Sequence, residues 1–143
     1  MQTAKRGYEA YQEAHAHELD QAKLILMMFA GAVRFLSKVI ESAESDPGET
    51  DRYISKTKKI LLELISSLDI ENSGEMGDIL LRAYRGLFLK LTAAQIQHDM
   101  RAIGEVRTSL IELEDSWKQV FSGLEYQMFV ENRDHARLVF AGK

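Results

Sequence analysis

Apolar residues recur every three or four positions along most of this chain, the spacing that places them on one face of an α-helix. Proline occurs only once, at Pro47 in "ESDPGET", and a second break, which contains two glycines, lies at "ENSGEMG". We predict that both stretches are loops between helices and that the second helix covers residues 53–68. The sequence shows no alternation of β-branched and polar residues that would indicate a strand. We therefore predict an all-α fold, an antiparallel four-helix bundle with short loops, preceded by a short N-terminal segment or helix.

Each long helix carries a stripe of apolar residues that predicts the bundle core. The predicted core positions are Ile25, Phe29, Ala32, Leu36, Ile40 and Ala43 on the first helix, Ile54, Leu61, Leu64, Ile65 and Leu68 on the second, Met76, Leu80, Ala83, Tyr84, Leu87, Leu91 and Ala94 on the third, and Ile103, Val106, Leu110, Leu113, Trp117, Val120, Phe121 and Leu124 on the fourth. Asp20 is the predicted N-cap of the first long helix, because a short acidic side chain accepts hydrogen bonds from free amides there. Asp69, Asn72 and Gly74 are predicted to end the second helix and begin the third.

The length of 143 residues is typical of one domain, so we predict a single domain over residues 1–143. The net charge of -4 argues against a nucleic-acid-binding surface, and the sequence shows no cluster of Lys and Arg. The absence of cysteine excludes disulfides and thiolate metal ligands, as is typical of the reducing cytoplasm. The uncharged run at residues 24–33 is shorter than the roughly 20 residues that span a bilayer, and no signal peptide precedes it. We therefore expect a cytoplasmic protein with neither a nucleic-acid nor a membrane partner.

The first long helix has more apolar surface than a bundle core requires. Beside its core stripe lies a second apolar strip, running toward Arg34 and Lys38, that consists of Leu24, Met27, Met28, Gly31 and Phe35. In an ordinary bundle, a neighbouring helix or the N-terminal segment would cover this surface. Alternatively, the strip is a partner-binding groove, since methionine adapts to irregular apolar surfaces and Gly31 lets another backbone approach. Tyr53 and Ile60 form a smaller excess on the second helix, where they either wall the same groove or are simply exposed.

The sequence shows no arrangement of residues typical of an enzyme. A carboxylate-bridged di-iron bundle needs Glu-x-x-His repeats. No histidine of this chain follows a glutamate by three residues, neither His15, His17, His98 nor His135. The first two are only two residues apart, which points them to different faces of a helix, and we find neither a glycine-rich phosphate loop nor a Gly-x-Ser-x-Gly motif. We therefore predict a protein without catalytic activity, metal site or cofactor.

Five segments occur in a characteristic order and spacing. They are "AYQ" at residues 10–12, "LILMMFAGAVRFL" at 24–36, "SSLDIENSGEMGDIL" at 66–80, "AY" at 83–84, and "EVRTSLIELEDSW" ending at Trp117. Together they resemble the flagellar secretion chaperones, the FliS family. That family usually begins its first long helix with Ser-Pro, where this chain has Asp20 and Gln21. Residues 125–143 form a C-terminal extension about which the resemblance implies nothing.

The resemblance implies a function that explains the additional strip. Family members bind the C-terminal segment of flagellin in the cytoplasm, prevent its premature polymerisation and deliver it to the flagellar export apparatus, whose export gate is a further partner. By this resemblance the strip binds flagellin together with Tyr53 and Ile60, while residues 1–19 cap part of this surface. Tyr8, Tyr11 and Gln12 match the family's N-terminal segment and are further candidate partner-binding residues, with a hinge predicted at residues 15–18. We expect the chain to be a monomer or a dimer. The alternative function is a structural helical bundle that self-associates through the strip and has no role with flagellin.

Overall fold

A computed structural model describes the backbone of residues 2–42 and 45–141, and within them all side chains except those of residues 2–5, 11, 14, 15, 18, 19 and 124–141. This part of the chain consists of four α-helices with short connections and contains no strand. The helices are α1 (Gln2–Ser42), α2 (Pro47–Ser66), α3 (Gly74–Gln97) and α4 (Met100–Ala141). The prediction of an all-α bundle is confirmed.

Residues 27–114 form one compact unit, which contains segments of all four helices. The rings of Phe29 in α1 and Tyr84 in α3 have centroids 6.2 Å apart. Nε of Arg107 in α4 donates a hydrogen bond of 2.7 Å to Oγ of Ser37 in α1. The helices of this unit therefore pack around a shared core, as a bundle requires.

The contacts between α2 and α3 show that these helices are antiparallel. Near the start of α2 and the end of α3, Nε2 of Gln95 donates a hydrogen bond of 3.4 Å to Oδ1 of Asp51. Further along, Nζ of Lys58 lies 5.0 Å from the ring centroid of Phe88. Later residues of α2 therefore contact earlier residues of α3, so the two helices run antiparallel. A short connection between neighbouring helices requires this arrangement.

Residues 1–26 and 115–143 form a second compact unit, which contains the beginning of α1 and the end of α4. Ala22 of α1 is buried in the structure. The rings of Trp117 and Phe121 in α4 stack with centroids 5.1 Å apart and an angle of 19° between their planes. This ring pair is one helical turn apart, the spacing at which side chains meet on one helix face.

Helix α2 begins earlier than the sequence predicted. Asp46 is its N-cap, and Oδ1 of this residue accepts a hydrogen bond of 3.2 Å from the backbone N–H of Glu49. Pro47 lies in the first turn, where the amide that proline lacks would have no intrahelical partner. The prediction of a loop across "ESDPGET" is therefore wrong beyond Asp46, because proline is compatible with the start of a helix.

Asp20 does not cap a helix, contrary to the prediction, because α1 continues through it. The hinge predicted at residues 15–18 also lies within the helix. Residues 8–30 contain neither proline nor glycine, and they are rich in the strong helix formers Ala, Glu and Gln. Gln21 has a backbone N–H, which proline lacks, and can therefore continue the helix at this position.

The core largely follows the predicted stripes. Buried positions that the sequence predicted are Phe29, Ala32, Leu36, Ile54, Leu61, Leu64, Tyr84, Leu91, Ala94, Ile103, Val106 and Leu110. Three predicted core residues are instead exposed, namely Ile40 (44%), Met76 (62%) and Val120 (59%). Val39 is buried in place of Ile40, because a period of 3.6 residues shifts the inward face after several turns. The predicted core residues Ala43 and Leu124 lie outside the described side chains.

The connection between α2 and α3 forms as predicted. The backbone carbonyl of Asp69 accepts hydrogen bonds from the N–H groups of Asn72 (3.2 Å) and Ser73 (2.9 Å). Gly74 then begins α3 with a φ of +58°, a conformation that glycine adopts without a steric penalty. A Cβ atom on Gly77 would lie 1.8 Å from Oγ of Ser73, so alanine at this position would require Ser73 to move.

An ion pair joins α3 to α4 and predicts a small pH dependence of stability. The hydrogen bond from Lys90 and the charge of this lysine lower the pKa of Glu105 below its ordinary value of 4.5. The pair therefore stabilises the folded state above pH 4.5, and this contribution is lost as the pH falls through the lowered pKa. We expect Glu105→Gln to be slightly less stable than the wild type at neutral pH, because an exposed pair contributes little. Urea unfolding should show that the difference disappears on acidification, and a difference that persists would contradict this prediction.

Candidate partner-binding surface

The strip predicted from the sequence lies along α1, and its members differ in exposure. Leu24 is 57% exposed, in the unit of residues 1–26 and 115–143. The other four residues belong to the unit of residues 27–114, where Met27 is 69% exposed, Met28 and Phe35 are half-buried and Gly31 is buried. Met27 is thus the member of the strip that offers the largest fraction of its side chain to a partner.

Helix α2 meets the strip through the two residues that the sequence singled out on its flank. A Cβ atom on Gly31 would lie 3.5 Å from Cδ1 of Ile60, which is an ordinary van der Waals contact. The rings of Phe35 and Tyr53 stack with centroids 5.8 Å apart and an angle of 27° between their planes. Gly31 and Phe35 of the strip therefore lie beside Ile60 and Tyr53 of α2 within the unit of residues 27–114.

Four basic residues surround the stacked rings. On α1, Cζ of Arg34 lies 5.7 Å from the ring centroid of Phe35, and Nζ of Lys38 lies 5.9 Å from that of Tyr53. On α2, Nζ of Lys56 lies 5.4 Å from the Phe35 centroid, and Cζ of Arg52 lies 6.0 Å from the Tyr53 centroid. Cations at such distances are attracted to the negative faces of aromatic rings. We call these six residues, Arg34, Phe35, Lys38, Arg52, Tyr53 and Lys56, the basic-aromatic cluster.

No cluster of basic residues is visible in the sequence, but the fold brings four of them together. Arg34 and Lys38 are four residues apart on α1, and Arg52 and Lys56 are four residues apart on α2. This spacing places each pair on one helix face. The two pairs become neighbours only because the bundle brings α1 beside α2. The sequence pattern alone does not encode the register between these helices, so it could not predict the cluster.

Two of the predicted N-terminal site residues contact each other at the beginning of α1. Nε2 of Gln12 donates a hydrogen bond of 2.9 Å to Oη of Tyr8, one helical turn away. Tyr8 is half-buried and Gln12 is exposed. The third predicted residue, Tyr11, lies outside the described side chains. Both described residues belong to the unit of residues 1–26 and 115–143.

The described side chains include no group of three or more His, Asp or Glu arranged to hold a metal ion. Within the described part of the chain, no helix has the length and apolar composition needed to cross a bilayer. What the surface of α1 and α2 offers instead is apolar contact area beside positive charge. Such an arrangement can bind an amphipathic polypeptide segment.

An all-α bundle that presents an apolar strip and a basic-aromatic cluster is typical of a helical-bundle binding protein. Residues 4–123 match the model of the family described as "Flagellar protein FliS". The chain belongs to this family, and the resemblance stated from the sequence is confirmed.

Three relatives show how far the similarity extends. The flagellar secretion chaperone FliS of Campylobacter jejuni is 29% identical over 115 residues, which cover 80% of this chain and 90% of the relative. The flagellar secretion chaperone FliS of Bacillus subtilis is also 29% identical over 115 residues, covering 78% of this chain and 84% of the relative. The protein of the same description from Escherichia coli is 27% identical over 123 residues, covering 81% and 90% of the two chains.

Proposed function

We propose that this chain is a cytoplasmic export chaperone that binds the C-terminal segment of flagellin. In this role it prevents premature polymerisation of flagellin and supports delivery to the flagellar export apparatus, with the export gate as a further partner. Membership of the FliS family supports the chaperone role, and the names of the relatives support secretion as its context.

The exposure of Met27 on the apolar strip is the observation that carries this proposal. Met27 is 69% exposed, although a bundle core needs only the core stripe of α1. Phe35 and Tyr53 extend this surface onto α2. A disordered apolar segment gains contact area by docking along such a surface and ordering as it binds. The flexible thioether of methionine allows the surface to adapt to the bound segment.

A polymerisation assay tests this function. Monomeric flagellin is mixed with filament seeds, and its assembly is followed by light scattering with and without an equimolar amount of the chain. We expect the chain to suppress assembly, because a flagellin molecule whose C-terminal segment is bound cannot pack into a filament. Assembly at an unchanged rate, at concentrations where the chain is folded and monomeric, would contradict the proposal.

Self-association is the alternative function, and exposed apolar residues on α3 favour it. Met76, Ile79, Leu89 and Ile96 are between 58% and 75% exposed, and Leu89 and Ile96 lie on the face of α3 that points away from Tyr84 and Leu91. A second copy of the chain would bury this surface. Sedimentation with and without a flagellin C-terminal peptide separates the two functions. An oligomer that neither binds the peptide nor dissociates in its presence would favour a structural role. A monomer that binds the peptide supports the chaperone role.

The N-terminal segment provides a further prediction. We propose that residues 1–19 cap part of the strip in the free protein. If they do, deleting them removes a tethered competitor, and flagellin affinity should rise or hold while the free protein associates more strongly. A peptide titration of the truncated chain, paired with light scattering of its free form, measures both effects. Weaker binding with unchanged scattering would contradict capping and would indicate that these residues contact flagellin directly.

A further inference from the structure

We propose that the basic-aromatic cluster binds side-chain carboxylates of the partner segment that docks on the strip. This inference rests on the proposed function and deepens it, because it states which chemical groups the bound segment carries. The partner is therefore an apolar polypeptide segment with acidic residues at the end that lies over Phe35 and Tyr53.

The charge of the cluster is the first support for this inference. The chain has a net charge of -4, yet four cations lie within 6.0 Å of two adjoining rings. Arg52 pairs with Glu49, 3.3 Å away and one turn earlier on α2. For Arg34, Lys38 and Lys56 no carboxylate lies within ion-pair distance among the described residues. Positive charge that the fold leaves uncompensated attracts anions and forms strong hydrogen bonds with carboxylates.

The arrangement of the rings favours an acidic peptide over a nucleic acid. Single-stranded nucleic acids bind by stacking bases on open aromatic faces. Here Phe35 and Tyr53 stack on each other, and Nζ of Lys56 lies 5.4 Å and 5.7 Å from their centroids. The rings thus hold the cations in place and leave little open face for a base. The acidic net charge of the chain would in addition repel a polyanion with many phosphates.

The position of the cluster on α1 predicts where the acidic residues lie in the partner. Met27 and Phe35 are eight residues apart on the helix, a rise of about 12 Å. A helical partner aligned with α1 would therefore carry its carboxylates roughly seven or eight residues from the side chain that contacts Met27. An extended partner would cover the same distance in about four residues.

The test compares the full chain with the variant Lys38→Gln/Lys56→Gln. This variant lacks two ammonium groups but keeps much of the aliphatic part of each side chain. The probe is a labelled synthetic peptide of the flagellin C-terminal segment, and binding is measured by fluorescence anisotropy. At low salt we expect the variant to bind roughly five- to thirty-fold more weakly, since it loses two charge contacts. At about 0.5 M salt the difference should shrink to about twofold or less, because exposed charges are screened.

A charge-matched control is Arg82→Gln/Arg85→Gln, which removes two exposed cations from α3 and gives the same net charge. It should bind the peptide like the wild type. A second control is a peptide in which Asn replaces every Asp and Gln replaces every Glu. The wild-type chain should bind this peptide as weakly as Lys38→Gln/Lys56→Gln binds the native peptide. Thermal melting of each variant confirms that it is folded.

Several results would overturn the inference. Equal binding by the wild type and Lys38→Gln/Lys56→Gln would overturn it while leaving the proposed function intact. The inference would also fail if binding weakened only when the terminal carboxylate of the peptide is amidated. It would fail as well if a single-stranded oligonucleotide bound at the cluster while peptide binding did not depend on the cluster. Absence of any peptide binding by the wild type would instead contradict the proposed function, and the inference with it.

Discussion

Leu110→Ala is expected to cost about 2 to 5 kcal/mol of unfolding free energy. Leu110 lies on α4 and is fully buried in the core of the unit of residues 27–114. Alanine removes most of the apolar side chain, and the surrounding helices relax only partly into the space. The fold is therefore destabilised both by the lost burial of apolar surface and by the cavity that remains. Urea unfolding followed by circular dichroism measures this loss as a shift of the midpoint at constant slope.

The matched control is Leu89→Ala, the same substitution at an α3 residue that is 66% exposed. It should change the unfolding free energy by less than about 0.5 kcal/mol, because its side chain contributes little to the core. Similar losses for the two variants would contradict the assignment of core and surface.

Met27→Glu is expected to weaken flagellin binding by at least about tenfold, because docking would place a carboxylate against an apolar partner surface. Helicity and melting should hardly change, since Met27 is 69% exposed in the free protein. Calorimetric titration measures the affinity, and circular dichroism measures the melting. Met28→Glu should weaken binding as well, but at some cost in stability, because Met28 is half-buried.

Met76→Glu is the matched control for the strip, since Met76 is 62% exposed on α3. This variant should bind flagellin like the wild type. Equal weakening by Met27→Glu and Met76→Glu would place the binding surface elsewhere or extend it over α3. Melting that collapses in Met27→Glu would show that this methionine is a core residue.

The bundle and most of its core were predictable because both follow from a period of 3.6 residues. Leu36, Leu61 and Leu110 stand at the centre of their stripes and are buried as predicted. Thr57 was not predicted, because the core stripe was drawn from apolar residues only. The structure buries this threonine, and its hydroxyl donates a hydrogen bond of 2.9 Å to the backbone carbonyl of Tyr53, which satisfies the polar group inside the bundle.

The candidate site was only partly predictable. The excess of apolar residues was visible in the sequence, including Met27 on α1 and Tyr53 on α2. The buried position of Gly31 beneath Ile60 and the convergence of the cations depend on how α1 and α2 align, which no local pattern encodes. The continuity of α1 through Asp20 was missed because aspartate favours N-caps but is still tolerated inside a helix at a small cost, and no proline or glycine lies close by to end the helix.

The most direct test of the account is a calorimetric titration of the full chain with two forms of monomeric flagellin, one complete and one lacking its C-terminal segment. The account predicts saturable binding of the complete form and a negative heat-capacity change from burial of apolar surface. It also predicts that the truncated form gives no binding at the same concentrations. Equal binding of both forms, or binding of neither, would contradict the claim that this chain is a chaperone for the C-terminal segment of flagellin.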